Sequence, residues 1–230
     1  MKAALSRIAA QDDDAIDLAE AALVLAAIDH PASDLAVYRE HLHAISAHVR
    51  TAAQALDADA APEELARVLS TTIAEDFRYL GDEDTYNDLD NANLMRVIER
   101  RRGLPVVLGI LYLCVARAQG WNAAGLNFPG HFLIRLESRD GRRVILDPFH
   151  GGRVMETHSL RELLKAVHGN GEELQTAHYQ PVSNREVLLR LQNNVKTRRI
   201  EQNDMPGALE ALGSMQLLDP SNANLWREAG

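Results

Sequence analysis

Residues 91–116 read NANLMRVIERRRGLPVVLGILYLCVA, and this stretch decides the fold. Leu94, Val97 and Ile98 fall at helical spacing, so 91–102 reads as a short helix, with Asn91 and Asn93 at a start that asparagine caps well. Gly103 breaks it. Pro105 suits a first helical turn and restarts the chain as a second helix over about 105–119, which Gly120 is placed to end. Residues 103–116 carry no charge, and a helix that is apolar all round is a buried one.

Upstream, the pattern predicts three more helices. The first spans 14–28, with Ile16, Leu18, Leu23, Leu25 and Ile28 as its apolar face and Asp12–Asp14 where a cap belongs. The second runs from Ser33 or Asp34 to about Leu56. The third starts at Pro62 and carries Leu65, Val68, Leu69, Ile73 and Phe77. Gly81 then opens a polar loop.

Downstream, residues 127–136 read NFPGHFLIRL and residues 146–154 read LDPFHGGRV. Phe132, Ile134 and Leu136 alternate with His131, Arg135 and Glu137, which marks a strand over 131–137. Residues 142–147 return from a turn at Arg139-Asp140-Gly141. A two-residue turn would set Ile134 opposite Asp147 and face His131 away from it. A three-residue loop, 139–141, with Gly141 left-handed in a bulge, sets Leu133 opposite Asp147 and His131 diagonally beside it on the same face. Only this second register groups Val144 and Leu146 with Phe132, Ile134 and Leu136, so the hydrophobic pattern predicts a His131–Asp147 pairing.

After Gly152 the chain returns to helix, with Ser159 as a cap for 160–167 and a loop over 168–172. A helical hairpin follows, 185–202 and then Pro206 to about Leu218, with a further helix from near Asn222. The distance from Arg185 to Asn222 is close to the 34-residue tetratricopeptide period. One such repeat cannot bury its own face, so it should pack on what precedes it.

At 230 residues and a formal charge of −9, the chain can bury a real core and repels phosphate backbones, so no nucleic-acid partner is expected. Arg100, Arg101 and Arg102 give too small a footprint to reverse this; they read as cations at a helix end. No apolar run reaches membrane-spanning length and no secretory leader is present, so the expectation is a cytoplasmic protein with no membrane partner. The nine histidines show no ligand spacing: His41, His43 and His48 read as solvated helix residues, and His150, His158, His168 and His178 are scattered. No metal or cofactor is expected. Glu99, which precedes three arginines, reads as ion-paired.

Together, the three motifs NANLMRVIERRRGLPVVLGILYL, NFPGHFLIRL and LDPFHGGRV resemble the bacterial SirB-type family, over roughly residues 30–228. Members of that family join a transglutaminase-like domain to a C-terminal tetratricopeptide-like segment. The resemblance implies an α+β fold: a helix-rich N-terminal part, a papain-like core of one central helix on a small antiparallel sheet, and a helical hairpin. It implies domains at 1–182 and 183–230. The wider superfamily uses a Cys-His-Asp triad with its cysteine at the start of the central helix. By similarity, His131 and Asp147 take the last two positions, and the cysteine position falls at Pro105, Val106 or Val107.

No cysteine stands there. Cys114, the only one, lies nine residues beyond Pro105, roughly 13 Å along the helix. Between Gly103 and Gly120 there is no serine or threonine, and Tyr112 is the one hydroxyl. Triad chemistry needs a nucleophile within hydrogen-bond reach of its base, and the local sequence supplies none. The expectation is therefore a catalytically degenerate protein acting as a protein-interaction or regulatory module toward another protein or a peptide, with a groove at the helix start lined by His131 and Asp147 and bordered by Asn91, Gly103, Pro105, Gly130 and Pro148. The alternative is a hydrolase or acyl transferase that keeps the His–Asp pair and takes its nucleophile from elsewhere.

Overall fold

The computed structural model describes residues 1–57, 59–169 and 172–229. The fold is α+β. Helices α1 (Lys2–Ala9), α2 (Leu18–Asp29), α3 (Leu35–Ala53) and α4 (Pro62–Ser70) come first, the last running on through a π turn at Thr71–Asp76. A short strand β1 (Leu80–Gly81) then leads to α5 (Leu94–Arg100), β2 (Arg102–Gly103) and the central helix α6 (Pro105–Arg117). Strands β3 (Asn122–Gly125), β4 (Ile134–Glu137), β5 (Arg143–Asp147) and β6 (Arg153–Val154) form a four-stranded antiparallel sheet in sequential order. Helices α7 (Thr157–His168), α8 (Asn184–Glu201), α9 (Met205–Leu218) and α10 (Ala223–Ala229) complete the chain.

The central helix is buried on every side, as an uncharged helix must be: eleven of its residues, from Pro105 to Ala116, are out of solvent. It lies on the face of the sheet that carries Phe132, Ile134, Leu136, Val144 and Leu146. The opposite face is also covered. Leu133 packs there with Leu126, Phe128, Met155, Leu160 and Leu164 in a second apolar cluster beneath α7. The simple alternation of the strand sequence does not announce this.

Gly109 sets how closely α6 approaches β4. A Cβ at this position would run into the Phe132 ring, which also lies against Gly125 of β3. Gly109→Ala would gain about 1 kcal/mol of helix propensity but overpack a filled site at a cost of about 1–3 kcal/mol. A net loss of about 1 kcal/mol is expected, read as a lower urea midpoint.

Several boundaries depart from the sequence expectation. Helix α2 starts at Leu18, and its cap is Asp17, whose carboxylate accepts from Ala19 N and Glu20 N. Asp13 is used elsewhere: its carboxylate oxygens accept from the backbone N–H groups of Asn184 and Arg185 at the start of α8. This long-range use of a helix N-terminus ties the C-terminal hairpin to the N-terminal region. Helix α7 begins at Thr157, after Glu156, so Ser159 lies inside it and caps nothing. The loop expected over 168–172 includes residues 170 and 171, outside the described residues. Leu225 is buried with Leu212 and Met215, whereas Trp226 is 54% exposed.

Three of the carboxylates in the polar segment after Gly81 converge on one arginine. Arg100 pairs with Asp82, Asp88 and Asp90 at 3.3, 3.1 and 3.6 Å. Arg101 ends α5 in the left-handed region, and Arg102 donates to the Arg78 carbonyl. Of the three arginines, Arg100 serves the loop, whereas Arg101 donates to the Tyr79 hydroxyl. Glu99 is ion-paired with Arg96 at 2.8 Å and accepts from the Tyr38 hydroxyl.

His41 is not simply solvated. It is half-buried, and its Nε2 lies 2.8 Å from the Tyr79 hydroxyl. That hydroxyl accepts from Arg101 Nη1 at 2.5 Å, so its proton points to His41 and the imidazole must be neutral. Burial, and then the Arg101 charge, lower the His41 pKa from 6.5 to about 4. The unfolded chain therefore takes up this proton first, so the contribution is complete above about pH 6.5 and is lost as pH falls toward 4. Solvent screening at a half-exposed site reduces the loss to about 1 kcal/mol. Urea unfolding at pH 7 and pH 4.5 should show this increment in the wild type and not in His41→Gln.

Candidate functional site

Strand β5 delivers Asp147 to the end of the sheet. Pro148–His150 then form one 3-10 turn that Asp147 itself caps, accepting from Phe149 N at 3.1 Å. Gly151 and Gly152 both sit at positive φ, and Gly152 N returns to the Asp147 carbonyl at 2.8 Å. The turn is thereby closed onto the strand, and Asp147 is held with no solvent exposure.

His131 reaches the same point from the loop before β4, which starts at Ile134 and not at 131 as the alternation predicts. The strands pair Ile134 with Leu146 and Leu136 with Val144, which continues to Leu133 opposite Asp147. Gly141 is left-handed, and Ser138 N bonds to Arg142 O across a three-residue loop. This is the register expected from the hydrophobic pattern. His131 Nε2 lies 2.8 Å from Asp147 Oδ1. From α8, Arg190 donates to the carbonyls of Phe128 (3.0 Å) and His131 (2.5 Å) and clamps the loop that carries the histidine. Burial lowers the Arg190 pKa, the cost of placing a cation there.

Asp147 has a third side-chain partner. His150 Nδ1 lies 2.6 Å from Oδ2, so two imidazoles converge on one carboxylate. Their rings lie 6.0 Å apart and close to parallel, with Phe149 set edge-on to both. Burial acts to raise the Asp147 pKa, but hydrogen bonds and charge from His131, then His150, outweigh it and hold the carboxyl below its ordinary value. An ionised carboxylate only accepts, so both facing ring nitrogens carry protons. That leaves Nδ1 of His131 as its basic nitrogen.

The start of α6 lies beside this histidine. Pro105 and Val106 border a notch of about 30 Å³ together with Tyr86, Gly130, His131 and Asn194, room for about one water. The helix N-terminus, the histidine and the aspartate are therefore assembled, with apolar side chains where a thiol would stand. Val107 is buried in the main core. Of the other residues expected along a groove, Asn91 is fully buried with its amide donating to Thr85 O, Gly103 is inside the β1–β2 pair, and Pro148 is buried in its turn.

Cys114 belongs to a different part of the molecule. It faces a recess of about 370 Å³ between α2 and α3, beside Asp17, Ala19, Leu42 and Arg117, and none of that recess is formed by His131 or Asp147. Burial, reinforced by the Asp17 charge, pushes its thiol up to about 12. A larger cleft than the notch, about 240 Å³, runs between α2 and the hairpin of α8 and α9.

Sequence reasoning found His131 and Asp147 but missed His150, Tyr86, Arg190 and Asn194. A histidine two residues after the Asp147-Pro148 pair was the available signal for His150. The others come from remote segments, and no local pattern marks them.

Residues 36–193 match the transglutaminase-like superfamily. A UPF0162 protein of Xylella fastidiosa is 29% identical over 226 residues, 97% of this chain and 79% of that protein. A UPF0162 protein of Pseudomonas aeruginosa is 35% identical over 179 residues, 78% of this chain and 63% of that protein. Protein SirB1 of Salmonella typhimurium is 25% identical over 194 residues, 84% of this chain and 70% of that protein. No solved structure gives a significant match. No helix among the described residues is long and apolar enough to cross a membrane. With a buried central helix set on an antiparallel sheet, a His–Asp pair at the helix start and these relatives, the chain belongs to the SirB-type family of the transglutaminase-like superfamily.

Proposed function

We propose that this protein is a catalytically degenerate transglutaminase-like domain that works as a protein-interaction or regulatory module. One observation carries the reading: Pro105 and Val106, and no thiol or aliphatic hydroxyl, border the notch beside His131. A base and its orienting carboxylate without a nucleophile cannot form an acyl-enzyme. Cys114 does not replace it: it lies half-buried in a separate recess, and a thiol pushed up to about 12 is almost wholly protonated at neutral pH.

Binding surface is available elsewhere. The cleft of about 240 Å³ between α2 and the α8–α9 hairpin is lined by apolar Ala22, Leu25 and Leu191 and by charged Asp29, Arg199 and Glu210, the first two of these ion-paired with each other. A partner of this protein is read as a polypeptide with an apolar anchor and mixed charge, and the C-terminal hairpin as a tetratricopeptide-like platform for it.

The test is thiol chemistry on the native chain. Iodoacetamide at neutral pH is expected to modify Cys114 at less than about one tenth of the rate seen after unfolding in urea. Amide and thioester substrates should give the same background rate with the wild type and with Cys114→Ser. Rapid native labelling together with a Cys114-dependent rate would overturn the reading.

A further inference from the structure

We propose that His131, Asp147 and His150 form a binding site for a divalent transition-metal ion, with zinc the best match to the donors. The proposal goes beyond the degenerate-module reading and does not depend on it. Each of the three residues offers one ligand atom, and these atoms lie within 4.8 Å of one another. Two imidazole nitrogens and one carboxylate oxygen are the donor set that suits zinc, cobalt and iron, and that magnesium and calcium avoid.

The superfamily's chemistry does not account for the second imidazole. Orienting a base takes one carboxylate and one histidine, and the His131–Asp147 contact at 2.8 Å already does this. His150 brings another ring nitrogen to within 2.6 Å of the other carboxylate oxygen. Metal–ligand distances of about 2.0–2.2 Å in a tetrahedral site put donor atoms about 3.3–3.6 Å apart, so shifts of about one ångström in the imidazoles would admit an ion. The facing N–H protons need not be lost: each neutral ring can move its proton to its other nitrogen and present a lone pair.

The surroundings are already built as an outer shell. Asp147 is fixed on one side by Phe149 N, and the His131 backbone is clamped by Arg190. The Tyr112 hydroxyl is buried without a hydrogen-bond partner and lies in the field of the Asp147 carboxylate. It is a donor free to bond a ligating carboxylate, the role that outer-shell groups play in metal sites. His150 is the most exposed ligand, with 38% of its side chain in solvent and its Nε2 3.6 Å from Glu83, so an entry path exists from that side. Three protein ligands leave a position for water, as in open zinc sites.

The experiment titrates the full chain with Co²⁺, followed by its visible d–d spectrum, and then displaces it with Zn²⁺. One equivalent per chain is expected, with the intensified bands of a four- or five-coordinate site. Zn²⁺ should displace the cobalt, and a large excess of Mg²⁺ should not. His150→Gln, at a partly exposed position where the fold is retained, should weaken binding at least about tenfold, and His131→Gln should do the same. His158→Gln, on the exposed face of α7 beside Glu162, should leave it unchanged. No saturable Co²⁺ spectrum, equal binding in His150→Gln, or loss of binding in His158→Gln would each overturn the proposal.

Discussion

Asp147→Ala is expected to lower folding stability by about 3–5 kcal/mol, the largest effect of any single substitution in the site. The carboxylate has no solvent exposure and holds three donors: His131 Nε2, His150 Nδ1 and Phe149 N. Removing it leaves a buried ring N–H and a buried backbone N–H without an acceptor, each costing about 1–3 kcal/mol. It also opens a gap beneath the Gly151-Gly152 turn. Loss of one partner from a buried charged network falls in the same range. Asp147→Asn keeps one acceptor oxygen and should lose about half as much. The readout is the urea midpoint, which for a slope of about 2 kcal/mol per molar should fall by about 1.5–2.5 M in the alanine variant. A loss under about 1 kcal/mol would mean that the pair contributes little to the fold.

The expected loss would fit the geometry, in which the His–Asp pair joins two segments beside a helix with no thiol. The aspartate closes β5 onto the Pro148–His150 turn, and the histidine ties the loop after Phe128 to the sheet. Both serve the architecture whether or not a substrate is ever turned over.

What the sequence revealed about the site followed from local physics. Gly141 at a left-handed position and the in–out alternation of Phe132, Ile134, Leu136, Val144 and Leu146 defined the strand register, and the register brought His131 to Asp147. The absence of charge over 103–116 marked α6 as the buried centre. What stayed hidden depended on distant partners. The sequence pattern puts the cap of α2 at Asp12–Asp14; the cap is Asp17, and only the packing of α8 shows that Asp13 serves another helix. Residues 80–81 and 102–103 are too short for any strand pattern, yet they pair in parallel because α5 brings them together. Leu133 alternates onto what reads as the polar face and is buried only because α7 returns over it. The clamp on His131 comes from Arg190, fifty-nine residues away.

The second large effect is a gain. Val106→Cys should create a thiol with properties opposite to those of Cys114. Position 106 lies in the first turn of α6, where unpaired backbone N–H groups and the helix dipole favour an anion. It borders the same notch as His131, whose imidazolium would stabilise a thiolate. The substitution removes one small branch from a residue 2% exposed, a change of about 1 kcal/mol or less, so the variant should fold. His131→Ala in the same background should undo most of the effect, which separates the histidine's share from that of the helix end.

The most direct measurement of the claim that this fold retains the frame of a thiol site and lacks only the thiol is the pH titration of thiolate absorbance in Val106→Cys. Cys114, pushed up to about 12, stays silent over the range. A new transition at or below about pH 7.5 is expected; a thiol at position 106 that titrates at the ordinary value of about 8.5 or higher would overturn the claim.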